Sequence, residues 1–190
     1  MEIMRVRTAI VEAVCFTMLY LPASASSPVT LKLTDLYKEA QIVGVFEITE
    51  GKVVSPGGRW CGARYKGRVV DGGKNVTVGA VLEFGYLPHL KIGTSYLLVL
   101  GELVPPPPVF QSEEEFFKHC KPQLPAANIM GLWRGAMEID GDTRDASKRA
   151  TWAVRPVGYV EYPLGTRTTR DSGERRFWYS DLVMRLADAQ

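Results

Sequence analysis

The sequence predicts a mainly β protein with short flanking helices, centred on a five-stranded, barrel-like sheet over residues 41–104. Two observations predict this class. Apolar stretches rich in β-branched and aromatic residues follow the period of two that strands show. Clusters of Gly, Pro and Asp separate these stretches at short intervals. The chain has 190 residues, 46% of them hydrophobic and 23% charged, so it is long enough for one domain with a proper core.

The first half of the sheet is predicted from three strands that follow a short helix. Apolar residues at spacings of three and four predict the helix over residues 31–40. Strands are expected over residues 41–49, 61–70 and 75–84. The Asp-Gly-Gly-Lys segment at residues 71–74 has the composition of a tight hairpin turn, so it should join the second and third strands.

A fourth strand is expected over residues 95–104, because its Tyr-Leu-Leu-Val-Leu run is typical of a strand buried on both faces. Prolines 105–108 end this strand and favour an extended left-handed segment, since proline cannot donate to a β-ladder. Ser112 and Glu115 then have the spacing of a capping box. This spacing predicts a short helix, which ends at Cys120.

The last third of the chain predicts a β-hairpin followed by a helix. Strands are expected within residues 128–139 and 150–162, joined by a polar loop. A Gly- and Arg-rich loop is expected over residues 164–176. An apolar stripe predicts a final helix over residues 181–189, with Ser180 as its N-cap.

The order of elements over residues 30–104 resembles that of netrin-like modules, the OB-fold barrels shared with tissue inhibitors of metalloproteinases. In bacterial members of this group a helix is followed by a strand that ends in a glycine-rich turn, and a later strand that closes the barrel opens with Gly-x-x-Tyr-Leu. The resemblance implies an OB-like Greek-key barrel. The matching residues are Leu36 and Ala40 of the helix, Gly44, Tyr65, Gly93, Tyr96, Leu97 and Leu98.

The resemblance does not extend to the mechanism of the metalloproteinase inhibitors. That mechanism places the amine and carbonyl of an N-terminal cysteine on a catalytic zinc, whereas this chain has no cysteine between Ser26 and Cys61. The resemblance therefore implies the fold without the inhibition. It divides the chain into a barrel over residues 26–104 and a C-terminal extension over residues 105–190, packed on the barrel as one compact domain.

The N-terminal segment has the pattern of a cleavable signal peptide over residues 1–25. Two arginines precede an apolar run at residues 14–21, and Ala-Ser-Ala at residues 23–25 fits the small-x-small cleavage pattern. Glu12 is atypical of such a segment, and the alternative is an amphipathic first helix that packs on the domain. No later stretch is long and apolar enough to cross a bilayer. The sequence therefore predicts a soluble, secreted or periplasmic protein.

Cysteine use is consistent with export. Cys15 would leave with the signal peptide, and Cys61 and Cys120 would remain. Two cysteines in an oxidising compartment are most simply paired, so we predict a disulfide between them. A thiol nucleophile or half of a metal site is the alternative.

Charge and motifs give little support for nucleic-acid binding or catalysis. The formal net charge is +2, and the basic residues are scattered apart from a loose, solvated cluster at residues 167–176. His89 and His119 lack partners at metal-ligand spacing, and no nucleophile elbow, P-loop or zincin motif is present. The three glutamates at residues 113–115 suit the first turn of a helix, where the dipole favours negative charge. We therefore predict no catalytic, metal or cofactor-binding residue.

The four tryptophans are the candidate binding surface. Aromatic side chains line the grooves of OB folds, and packing in a β-rich core is the alternative explanation for them. We predict an exported, soluble, non-catalytic module that binds a protein or a small molecule. The alternative is an exported hydrolase whose site is not recognisable from sequence. The candidate surface residues are Trp60, Trp133, Trp152 and Trp178.

Overall fold

The computed structural model describes residues 29–87, 89–104, 112–171 and 173–189. The predicted signal peptide and the proline segment lie outside these residues. Of the described helices, none is long and apolar enough to cross a membrane.

The strands are β1 (Leu31–Lys32), β2 (Ile42–Val54), β3 (Gly62–Lys74), β4 (Val81–Tyr86), β5 (Ser95–Glu102), β6 (Ala127–Ile129), β7 (Ala136–Asp140), β8 (Ala153–Val154), β9 (Val160–Glu161), β10 (Thr168–Asp171) and β11 (Glu174–Trp178). The α-helices are α1 (Leu33–Glu39), α2 (Glu113–Glu115), which continues as a π-helix over Phe116–Cys120, and α3 (Tyr179–Asp188).

Five strands close into a barrel, which confirms the predicted fold class. Their order is β5-β2-β3-β4-β6, and β6 pairs back onto β5 to close the ring. The β4–β6 pair is parallel and the other pairs are antiparallel, as in an OB-like Greek key. The barrel interior is filled by Phe46, Ile48, Tyr65, Phe84, Tyr96, Leu98, Leu100 and Ile129.

The closing strand lies outside the predicted range. Residues 41–104 supply only four barrel strands, and β6 comes from the C-terminal extension. Since β6 has three residues, it is too short to show a period in the sequence. The barrel is therefore completed by a segment that sequence patterns assigned to the extension.

A second core forms on the outer side of the barrel, where α1 and α3 cover β2 and β5. Leu97 and Val99 of β5 face this second core, while Leu98 and Leu100 face the barrel interior. The prediction that this strand is buried on both faces is confirmed. Its first half also pairs with β7, and the sheet continues through β8 and β11 to β10.

The predicted turn at residues 71–74 is wrong. These residues belong to β3, where Gly72 pairs with Gly44 of β2. A Cβ on Gly72 or Gly73 would lie 2.8 or 2.7 Å from a backbone oxygen, so both glycines permit close approach of the backbone rather than a turn. The chain reverses direction at Gly79 (φ 87°), and the predicted third strand, β4, begins at Val81.

The C-terminal part of the structure differs from the prediction in one segment and at the start of the last helix. The predicted loop over residues 164–176 contains β10 and the first three residues of β11, whose polar side chains lack an apolar strand pattern. The final helix begins at Tyr179, so Ser180 lies inside its first turn and Trp178 is the N-cap. The predicted hairpin is confirmed in reduced form, since β7 pairs antiparallel with β8.

Candidate functional site

A disulfide joins two loops at one end of the barrel. Cys61 and Cys120 are bonded, with 5.2 Å between their Cα atoms, and both are buried. The predicted disulfide is confirmed. Cys61 ends the connection between β2 and β3 (loop A, residues 55–61), and Cys120 lies in the connection between β5 and β6 (loop B, described for residues 103–104 and 112–126). In OB folds the two loops at these positions flank the ligand-binding face.

Loops A and B are also joined by an ion pair. The guanidinium of Arg59 donates to the carboxylate of Glu115 and holds the pKa of that carboxyl below its usual range. His119 Nε2 lies 3.8 Å from the same carboxylate. Glu115 is fixed in turn by the predicted capping box, since its backbone N–H donates to the Ser112 hydroxyl at 3.3 Å. Exposed ion pairs add little stability, so the disulfide is the stronger of the two connections between the loops.

The tied loops rest on a small apolar core and expose two aromatic side chains. Phe116 is fully buried in this core, and its ring lies 6.0 Å from that of Tyr86. Trp60 of loop A is 46% exposed and Phe117 of loop B is 41% exposed. The Lys121 ammonium lies 5.0 Å from the centre of the Phe117 ring. Large aromatic groups held in water on a rigid support are typical of binding anchors. We call Trp60 and Phe117 the aromatic pair.

A groove of about 570 Å³ runs from loop A along the outer face of β2, β3 and β4. Four of its five charged side chains form two ion pairs, Lys66 with Glu50 at 2.9 Å and Arg64 with Glu83, and the fifth is Lys52. Arg64 keeps the pKa of Glu83 low, and Glu50 raises the pKa of Lys66. The groove therefore presents fixed charges of both signs. Its lining consists of residues 50–56, Arg64, Tyr65, Lys66, Glu83 and Gln123.

The structure does not bring the four candidate tryptophans together. Only Trp60 lies at the tied loops. Trp133 is 40% exposed and borders a separate cavity of about 290 Å³. Trp178 is half-buried at the start of α3. Trp152 is 1% exposed and packs on Tyr179 with 5.5 Å between ring centres, so it belongs to the core and cannot contribute to a surface.

The two histidines are held apart. His89 shares a hydrogen bond with the Leu87 carbonyl at 3.1 Å, and burial lowers its pKa. His119 lies at the tied loops beside Glu115. Over the described ranges, no group of three or more His, Cys, Asp or Glu side chains is arranged to hold a metal ion.

Phe117 is the site residue that sequence patterns conceal. It follows Phe116 directly in the capped helix, and both residues are equally apolar. Only the fold shows that the first ring enters the core and the second faces water. The change from α- to π-helix at this point also removes the regular spacing that would assign each ring to a face.

Comparison with protein-family models, with curated proteins and with solved structures gives no match for this chain. The resemblance to netrin-like modules therefore stays a prediction.

Proposed function

We propose that the chain is an exported, non-catalytic module that binds a protein partner through the aromatic pair and the adjoining groove. One observation carries the proposal. Trp60 and Phe117 are 46% and 41% exposed on two loops that a buried disulfide joins. Trp is among the side chains that most often dominate the energy of protein–protein contacts, and aromatic residues are enriched in such interfaces.

The disulfide supports binding because it reduces the conformational entropy that the loops would lose on association. Loops that become ordered only on association lose conformational entropy, and this loss reduces the affinity. Here the disulfide and the Arg59–Glu115 pair hold both loops before a partner arrives. The aromatic pair is thus presented in a fixed arrangement, and the charges of the groove that begins at loop A can pair with charged groups at the rim of a partner's surface.

The disulfide also supports the extracytoplasmic location. Stable disulfides are rare in reducing compartments and common in exported domains. The predicted signal peptide over residues 1–25 provides the route, and cleavage after Ala25 would leave every described residue in the mature chain.

The proposal is tested by co-purification from the extracytoplasmic fraction. The full chain, expressed with its own N-terminus and a C-terminal tag, should bring down a defined partner in stoichiometric amount. Trp60→Ala and Phe117→Ala should each weaken this complex by roughly tenfold or more, because a truncated anchor typically costs about 2 kcal/mol.

Trp133→Ala is the matched control, since Trp133 has nearly the same exposure (40%) away from the tied loops. It should leave the complex unchanged. Circular dichroism should show that all three variants are folded. Equal retention of the partner by Trp60→Ala, Phe117→Ala and the unchanged chain would contradict the proposal, as would an equal loss with Trp133→Ala.

A further inference from the structure

One stretch of β2 has a free hydrogen-bonding edge. Pairing of β2 with β5 stops at Glu47, and two hydrogen bonds to the loop before β5 end at Ile48. Beyond that point Thr49 lies at a β-bulge, and residues 50–53 are paired only with β3; all five residues are exposed. Among the described residues, none bonds to their backbone from the side away from β3. Backbone groups on an open edge are able to pair with another strand.

The sequence of this edge is self-complementary. It reads Thr-Glu-Gly-Lys-Val over residues 49–53. If two copies pair antiparallel about a two-fold axis at Gly51, Glu50 of each copy lies directly opposite Lys52 of the other. Val53 of each copy faces the bulged Thr49 of the other, so the regular pairing covers Glu50, Gly51 and Lys52. Registers centred on Glu50 or Lys52 would instead place like charges opposite each other, which is unfavourable.

The charges already present on the sheet favour the same register. Lys52 lies opposite Arg64 of β3, and no carboxylate among the described residues is within ion-pair distance of it. Glu50 forms an ion pair with Lys66, which lies opposite it on β3. A second copy would place the carboxylate of its Glu50 beside each Lys52. Negative and positive side chains would then alternate across four strands, in the order Glu83 of β4, Lys66 of β3, Glu50 of β2 and the second copy's lysine at position 52.

We propose that two copies of this chain associate through the edge of residues 49–53, antiparallel about a two-fold axis at Gly51, to form a continuous β-sheet. The interface is isologous, as closed dimers require. An exposed lysine on an edge normally discourages pairing with other strands. Only in the register centred on Gly51 does Lys52 lie opposite a carboxylate of the second copy. Lys52 therefore makes the contact specific for this register. Because the edge is short, the dimer is weak and forms at high concentration.

The test is sedimentation equilibrium of the mature chain at low salt, over a concentration series up to roughly 1 mM, the range in which small interfaces associate. The unchanged chain should shift from monomer to dimer. Glu50→Lys and Lys52→Glu each place like charges opposite each other twice per dimer. Each should therefore weaken association roughly tenfold.

The double variant Glu50→Lys/Lys52→Glu restores opposite charges at both positions and should restore the dimer. Glu39→Lys makes the same change of charge at an exposed position of α1 and should have no effect. Trp60→Ala should also dimerise normally, because the edge shares residues 50–53 with the groove but shares no residue with the aromatic pair. A monomer at every concentration would overturn the proposal. So would a double variant that associates no better than the single variants.

Discussion

Removal of the Cys61–Cys120 disulfide is expected to lower the free energy of unfolding by about 2–5 kcal/mol. The bond spans 59 residues of sequence, and a closed loop of that size restricts the unfolded chain by about 4 kcal/mol in the chain-entropy model. Both sulfurs also lie in the small core beneath the tied loops, so their loss removes packing as well. Urea denaturation of the Cys61→Ala/Cys120→Ala variant, compared with the unchanged chain, measures the difference.

The single variant Cys61→Ala removes the covalent bond but keeps the sulfur of Cys120. It leaves the thiol of Cys120 without its covalent partner, and non-reducing electrophoresis should show some disulfide-linked dimer once unfolding exposes that thiol. Reduction of the unchanged chain should move its urea midpoint towards that of the double variant. If the double variant unfolds at the same urea concentration as the unchanged chain, the disulfide does not hold the loops.

Trp152→Ala is expected to destabilise the protein by about 3–5 kcal/mol, the usual cost of truncating a fully buried tryptophan. Trp152 is 1% exposed, and its indole N–H donates to the Asp142 carbonyl at 3.2 Å. Its ring packs on Tyr179, the first residue of α3. Truncation would leave a cavity between the sheet and this helix and an acceptor without its donor.

Trp133→Ala is the comparison for this prediction as well. Trp133 is 40% exposed, so its truncation should change the free energy of unfolding by less than about 1 kcal/mol. Thermal or urea unfolding of the two variants under the same conditions gives the difference. Equal destabilisation by both would show that the division into core and surface tryptophans is wrong.

The local patterns of the sequence were sufficient for the strands that start the barrel. The β-branched run of β2 and the apolar run of β5 each contain their own signal, because both strands are long and buried. The disulfide followed from a count of cysteines and the predicted compartment. The capping box at Ser112 was likewise a local pattern of residues in the chain.

The missed features depend on contacts between distant segments. Gly72 and Gly73 have the composition of a turn, and only their closeness to other strands shows that they lie within β3. The strand β6 is defined by its pairing with β4 and β5 rather than by its own residues. Burial of Trp152 and exposure of Trp60 depend on which layers cover each ring, and no spacing in the sequence contains that information.

We propose that this chain works outside the cytoplasm, with loops A and B joined by one disulfide. Intact-mass and N-terminal analysis of protein recovered under non-reducing conditions tests this claim most directly. The predicted result is a chain that begins at or within a few residues of Ser26, with no free thiol and with Cys61 and Cys120 in one linked peptide pair. Recovery from the cytoplasmic fraction of a chain that keeps Met1, with both thiols free, would contradict it.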